Sequence, residues 1–176
     1  GSLVLREVTG DGQVNVISAT TVPVATNTDY ALSLSGIYAA GTMTFTGTVS
    51  YIVGTGKVAI VDPGPDDEAH AKALLDAVRG ETVTHILRTH THRDHSPNTA
   101  RIKAATGAPV YAEGVHRASR PRFESEKHNP ESGADRDFRP DIEVKDGDVI
   151  EGQGWALEAV ATPGHTADHL AFAWVE

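Results

Sequence analysis

Short apolar runs alternate with polar stretches along this chain, and the spacing of the two predicts its elements. Leu3-Val4-Leu5 and Val14-Asn15-Val16-Ile17 predict early strands, broken by Gly10, Gly12 and Pro23. From Thr44 to Val53 the residues are β-branched and aromatic; Gly54-Thr55-Gly56 then turns the chain into Lys57-Val58-Ala59-Ile60-Val61, a hairpin. Asp62-Pro63-Gly64-Pro65 stops that strand. Asp66 is expected to cap a helix over residues 67–79, with Ala69, Ala73, Leu74, Ala77 and Val78 on its inner stripe and Gly80 at its end. His70 falls off that stripe and is expected in solvent. Val83 to Leu87 predicts the next strand, Ser96-Pro97 opens a second helix that Gly107 closes, and Pro109 to Ala112 is again strand-like.

Residues 113–140 break the rhythm, being polar, charged and rich in Pro, Asn and Gly. They read as a long excursion, either a flap facing substrate or a loop. Arg117, Arg120 and Arg122 with His116 would meet an anionic substrate or form a solvated basic edge. Ile142-Glu143-Val144, a turn at Asp146-Gly147-Asp148, a strand from Trp155 to Ala161 and an apolar run from Leu170 to Val175 follow. Strands alternating with helices indicate the α/β class, whose ligands gather beyond the carboxyl ends of strands.

Composition narrows the possibilities. The 176 residues suffice for one domain, expected over 3–176, with Gly1-Ser2 reading as a cloning remnant. The formal net charge of −9 argues against general affinity for nucleic acid. No apolar run reaches the roughly 18 residues of a membrane span. No basic-then-apolar leader opens the chain, so a cytoplasmic location is expected. Cysteine is absent, which leaves His, Asp and Glu to hold any transition metal.

Those residue types are concentrated in one place. His90-Thr91-His92-Arg93-Asp94-His95 follows directly on the Val83–Leu87 strand. In an extended segment residues two apart point to one side, so His90 and His92 converge on one point. Asp94 and His95 sit where the chain turns and would serve a neighbouring point. Imidazole and carboxylate are the ligands zinc takes when no thiolate is offered. A third imidazole is best supplied by His165, in Thr162-Pro163-Gly164-His165-Thr166 at the end of another strand. His85 reads as a core residue or one behind the ligands. His169 reads as packed behind them rather than as a ligand itself.

Thr89-His90-Thr91-His92-Arg93-Asp94-His95 resembles the HxHxDH motif of the metallo-β-lactamase-fold hydrolases. Asp62-Pro63-Gly64 and Pro163-Gly164-His165-Thr166 resemble that family's first and third motifs, with order and spacing preserved from about Thr44 onward. Asp94-His95-Ser96-Pro97 and the stretch from Pro163 to His169 look most like the beta-lactamase-like protein 2 group, whose relatives include glyoxalase II. The resemblance implies a four-layer αβ/βα sandwich with metals at the edge between two sheets. It implies His90, His92 and His165 on a first metal, Asp94 and His95 on a second, and Asp62 orienting the site from behind. It further implies a zinc-dependent hydrolase, with one or two zinc ions in preference to iron or manganese. A metal-bound hydroxide, positioned by Asp94, would cleave an ester, thioester, amide or phosphodiester bond of a small-molecule substrate.

The family's bridging Asp and late His should lie beyond His165, and no match to them precedes Glu176. The expectation is therefore an N-terminal portion with its second half incomplete, prone to form a homo-oligomer or to associate with the missing portion. Two other readings stand beside the hydrolase: a metal-binding but catalytically incomplete fragment, and a di-iron redox relative.

Overall fold

A computed structural model describes residues 3–9, 14–19, 49–121, 123, 125 and 133–175. The predicted strand start at 44–48 and Arg122 lie outside the described residues. Among the described residues, seven strands form the larger sheet: β1 (Leu3–Thr9), β2 (Val14–Ala19), β3 (Val49–Val53), β4 (Lys57–Val61), β5 (Thr82–Leu87), β6 (Val110–Ala112) and β7 (Ile142–Glu143). Their spatial order is β2-β1-β3-β4-β5-β6-β7, antiparallel from β2 to β4 and parallel from β4 to β7. A smaller antiparallel sheet, ordered β10-β9-β8, contains β8 (Val149–Gly152), β9 (Trp155–Ala161) and β10 (Leu170–Trp174).

The central strands are apolar at successive positions because both of their faces are covered. Val58, Ile60 and Ile86 face the helices α1 (Glu68–Ala77) and α2 (Asn98–Thr106), packing with Leu74 and Ile102. Ala59, Val61 and Leu87, one residue out of phase, face the small sheet and pack with Leu157, Ala159 and Leu170. This two-residue period builds three layers: helices, large sheet, small sheet. No helix covers the outer face of the small sheet among the described residues.

Two details of α1 correct the sequence reading. Its cap is Asp67 rather than Asp66, the Asp67 carboxylate accepting from the backbone N–H of Ala69 at 2.8 Å and of His70 at 3.4 Å. The inner stripe is shifted, so that His70, Ala71 and Leu74 are buried and His70 is not solvated. Alanines on every face of this helix blur its phase. The second helix begins at Asn98, one residue after Pro97, and ends as expected on Gly107 at φ 74.

Trp155 clamps the two sheets together. Its indole N–H donates to the carbonyl of Lys57 at 3.1 Å, and its ring lies against Gly54 and Gly152. A Cβ on Gly152 would fall 2.0 Å from Cε2 of that ring. Gly152→Ala is therefore expected to displace the indole and cost about 1–3 kcal/mol. Urea denaturation would register this as a lower midpoint; an unchanged midpoint would contradict the clamp.

Candidate metal centre

Three segments meet beyond the carboxyl ends of the parallel strands. β4 is followed directly by Asp62, β5 runs into the loop of residues 88–97, and the β9–β10 connection brings in residues 162–169. Backbone hydrogen bonds hold them in register. Gly64 N donates to His95 O at 3.1 Å, Asn98 N to Gly64 O at 3.1 Å, and Leu170 N to Thr89 O at 2.8 Å. The excursion also returns here. Arg93 N donates to Gly133 O and Asp135 N to Thr91 O, both at 2.8 Å, and Ser96 Oγ donates to Asp135 at 2.5 Å. Residues 133–135 therefore brace the histidine loop, a role that nothing in their composition signals.

One ligand atom each from His90, His92 and His165 can be chosen so that all lie within 4.8 Å of one another; the same holds for His90, Asp94 and His95. His90 thus belongs to both groups. Nδ1 of His92 and Nε2 of His165 are 2.7 Å apart. His169 stacks 4.8 Å from the ring of His90, while its Nδ1 meets Thr162 Oγ1 at 2.7 Å. His85 lies apart, its ring 5.0 Å from those of Tyr111 and Trp155.

Asp62 governs which nitrogens are offered. Its carboxylate accepts from Thr89 N at 2.9 Å and from Thr89 Oγ1 at 2.7 Å. Because the one hydroxyl proton of Thr89 is spent there, Nδ1 of His90, 3.0 Å from that oxygen, must be the donor. The Nε2 of His90 is then a bare lone pair, buried and without a hydrogen-bond partner among the described residues. His95 likewise directs Nδ1 at Asp62 Oδ2, 3.0 Å away, leaving Nε2 on the side of Asp94 at 3.4 Å. A carboxylate behind an imidazole, fixing its tautomer, is how proteins prepare histidine for a metal. The donor set fits a divalent metal of the zinc kind.

The charges agree with this. Burial, with His95 nearby, pushes His90 down to about 3, so its imidazole is neutral. Burial and His165 lower His169, and burial lowers His85. Burial would lower His95 too, but the bond to Asp62 and the charges of Asp62 and Asp94 outweigh it and raise it. Arg88 is fully buried below the loop, its Nη2 donating to His90 O at 2.8 Å and its guanidinium 3.6 Å over the Phe138 ring. Burial lowers it to about 10 against the pull of Asp62, Asp135 and Asp168.

Of the excursion's basic residues, His116 is buried against Thr91 Oγ1 at 2.6 Å and lies 4.0 Å from Asp168. Arg117 pairs with Glu113, and Arg120 lies over Phe123 at 4.8 Å. Arg88, Ser50 and His70 were not legible as site residues, since each looks like an ordinary surface or strand residue until the fold assembles them.

His90, His169 and His85 bind protons less readily folded than unfolded, and His95 more readily. Between the lowered values and about 6.5 the unfolded chain holds the extra protons, so stability falls as pH falls. The chelator-treated chain is expected to melt lower at pH 5.5 than at pH 7.5. A higher melting temperature at pH 5.5 would contradict this balance.

Comparison with known proteins gives a consistent picture. The family model for the metallo-beta-lactamase superfamily matches residues 43–176. The chain is 34% identical over 139 residues to the atrochrysone carboxyl ACP thioesterase AgnL7 of Paecilomyces divaricatus, covering 76% of this chain and 37% of that protein. It is 37% identical over 118 residues to a hydroxyacylglutathione hydrolase of Polaromonas sp., covering 66% of this chain and 37% of that one. The chain therefore spans well under half the length of these relatives. Among solved structures it resembles the metallo-beta-lactamase MIM-1 of Novosphingobium pentaromativorans, with 26% identity, a TM-score of 0.57, and coverage of 73% of this chain and 50% of that one.

Proposed function

Because this chain belongs to the metallo-beta-lactamase superfamily, we propose that residues 3–176 carry the metal-binding part of a zinc-dependent hydrolase that cleaves thioesters. The observation that carries the reading is the convergence of His90, His92 and His165 within 4.8 Å, with Nε2 of His90 buried and unbonded among the described residues. Thioester is preferred to other acyl bonds because two relatives bear the names of a thioesterase and of a hydroxyacylglutathione hydrolase.

In this reading His90, His92 and His165 hold one zinc, and Asp94 and His95 contribute to a second. Zinc supplies a Lewis acid that brings the pKa of water toward neutrality and polarises a carbonyl. Asp62 keeps Nδ1 of His95 and, through Thr89, Nδ1 of His90 protonated, so that both rings present Nε2. Asp94 has an exposed side chain, 67% against 27% for His95, and accepts a proton from the attacking water. As the water oxygen bonds to the acyl carbon, the carbon–sulfur bond breaks. The thiolate leaves and takes up the water's proton from Asp94, giving a thiol and a carboxylic acid.

Protein purified without chelator is expected to carry zinc and to lose it in His92→Ala. Against an acyl-glutathione thioester, Asp94→Asn is expected to reduce kcat by about 10²–10⁴-fold while the zinc on His90, His92 and His165 is retained. Zinc content unaffected by His92→Ala would refute the ligand assignment. A zinc-loaded chain inert toward thioesters would refute the catalytic part and leave a metal-binding one.

A further inference from the structure

Asp62 is the one non-glycine among the described residues with positive φ, at 50°. Asp tolerates that left-handed conformation better than most residues, but it still needs support from its surroundings. The β3–β4 ladder ends one step earlier, at Tyr51 opposite Val61. Where the ladder stops, the hydroxyl of Ser50 takes over and donates to the carbonyl of Asp62. Ser50 is fully buried, on the strand that neighbours β4.

A second residue stands behind it. Nε2 of His70, on α1, is 2.8 Å from Ser50 Oγ. A serine hydroxyl has one proton, and that of Ser50 points at Asp62 O. His70 can therefore meet Ser50 only as a donor, which assigns its proton to Nε2. A buried histidine on a helix, a buried serine on a strand and the strained Asp62 form one line, with the carboxylate of Asp62 at its far end on Thr89 and His95.

We propose that Ser50 and His70 are positioning residues, a buried hydrogen-bonded strut that locks the backbone of Asp62 so that its carboxylate sets the tautomers of His90 and His95. The strut explains why a histidine that belongs to no ligand group is buried in α1. It also makes Asp67, which caps that helix and accepts from the His70 N–H, part of the support of the metal centre. The zinc consequence rests on the function proposed above; the tautomer consequence does not.

The test is long-range nitrogen-15 spectroscopy of the imidazoles in the chelator-treated chain, followed by zinc titration, for wild type, Ser50→Ala, His70→Leu and His70→Gln. At a pH where His95 is neutral, wild-type His70 is expected to be protonated at Nε2, with His90 and His95 each a single Nδ1–H tautomer. Ser50→Ala and His70→Leu should turn His95 into a tautomer mixture and weaken zinc binding by roughly 10- to 100-fold, the usual range for losing such support. The side-chain amide of Gln can donate where Nε2–H did, so His70→Gln should restore both, which a merely structural loss would not permit. His70 protonated at Nδ1 would overturn the strut, as would unchanged His95 tautomer and zinc affinity in a folded Ser50→Ala. If Ser50→Ala fails to fold, the Leu and Gln variants decide: equal behaviour of the two overturns the proposal. If wild type takes up no zinc, the proposed function falls, while the spectra still decide the strut.

Discussion

The carboxylate of Asp62 is the point on which the centre turns. Buried at the end of β4, it accepts two hydrogen bonds from Thr89 and one from His95. Without those bonds nothing would choose between the two nitrogens of His90 or of His95, and a histidine loop with mixed tautomers makes a poor metal site. The burial of this carboxylate is offset because Thr89 and His95 donate to it and the Arg88 guanidinium lies nearby. The strained backbone of Asp62 is therefore a means of aiming the carboxylate across to the next strand.

The sheet supplies the geometry for this. Parallel pairing of β4 with β5 sets Asp62 beside the start of the histidine loop, and the small sheet folds residues 162–169 over the other side. Both faces of β4 and β5 must be covered for that, which is why β4 is apolar at every position from Val58 to Val61 and β5 ends on the buried pair Ile86-Leu87. The clamp at Trp155 and the layer at Leu74 and Ile102 serve the same end from opposite sides. Residues 133–135 close the arrangement by pinning the loop along its backbone.

Much of this is written locally in the chain. Strands β4, β5, β6, β9 and β10, the stop after Val61 and the Gly107 helix end are local signals that the structure follows to within a residue or two; β1 runs four residues past Leu5, and β8 was not anticipated. The cluster from His90 to His95 stands out because its chemistry is contiguous in sequence. Burial of His70 was hidden because the alanines of α1 offer several faces that look alike. The Ser50–His70–Asp62 line and the place of Arg88 were hidden for a different reason: each depends on residues from separate elements that meet only when the sheet and helices pack. The return of the excursion at Gly133–Asp135 is a backbone interaction, and side-chain patterns carry no trace of it.

X-ray absorption spectroscopy at the zinc edge, on the chain loaded with one equivalent of zinc, tests the central claim most directly. A first shell of nitrogen and oxygen alone is expected, with multiple scattering that fits the imidazoles of His90, His92 and His165. A shell with one imidazole or none would contradict it.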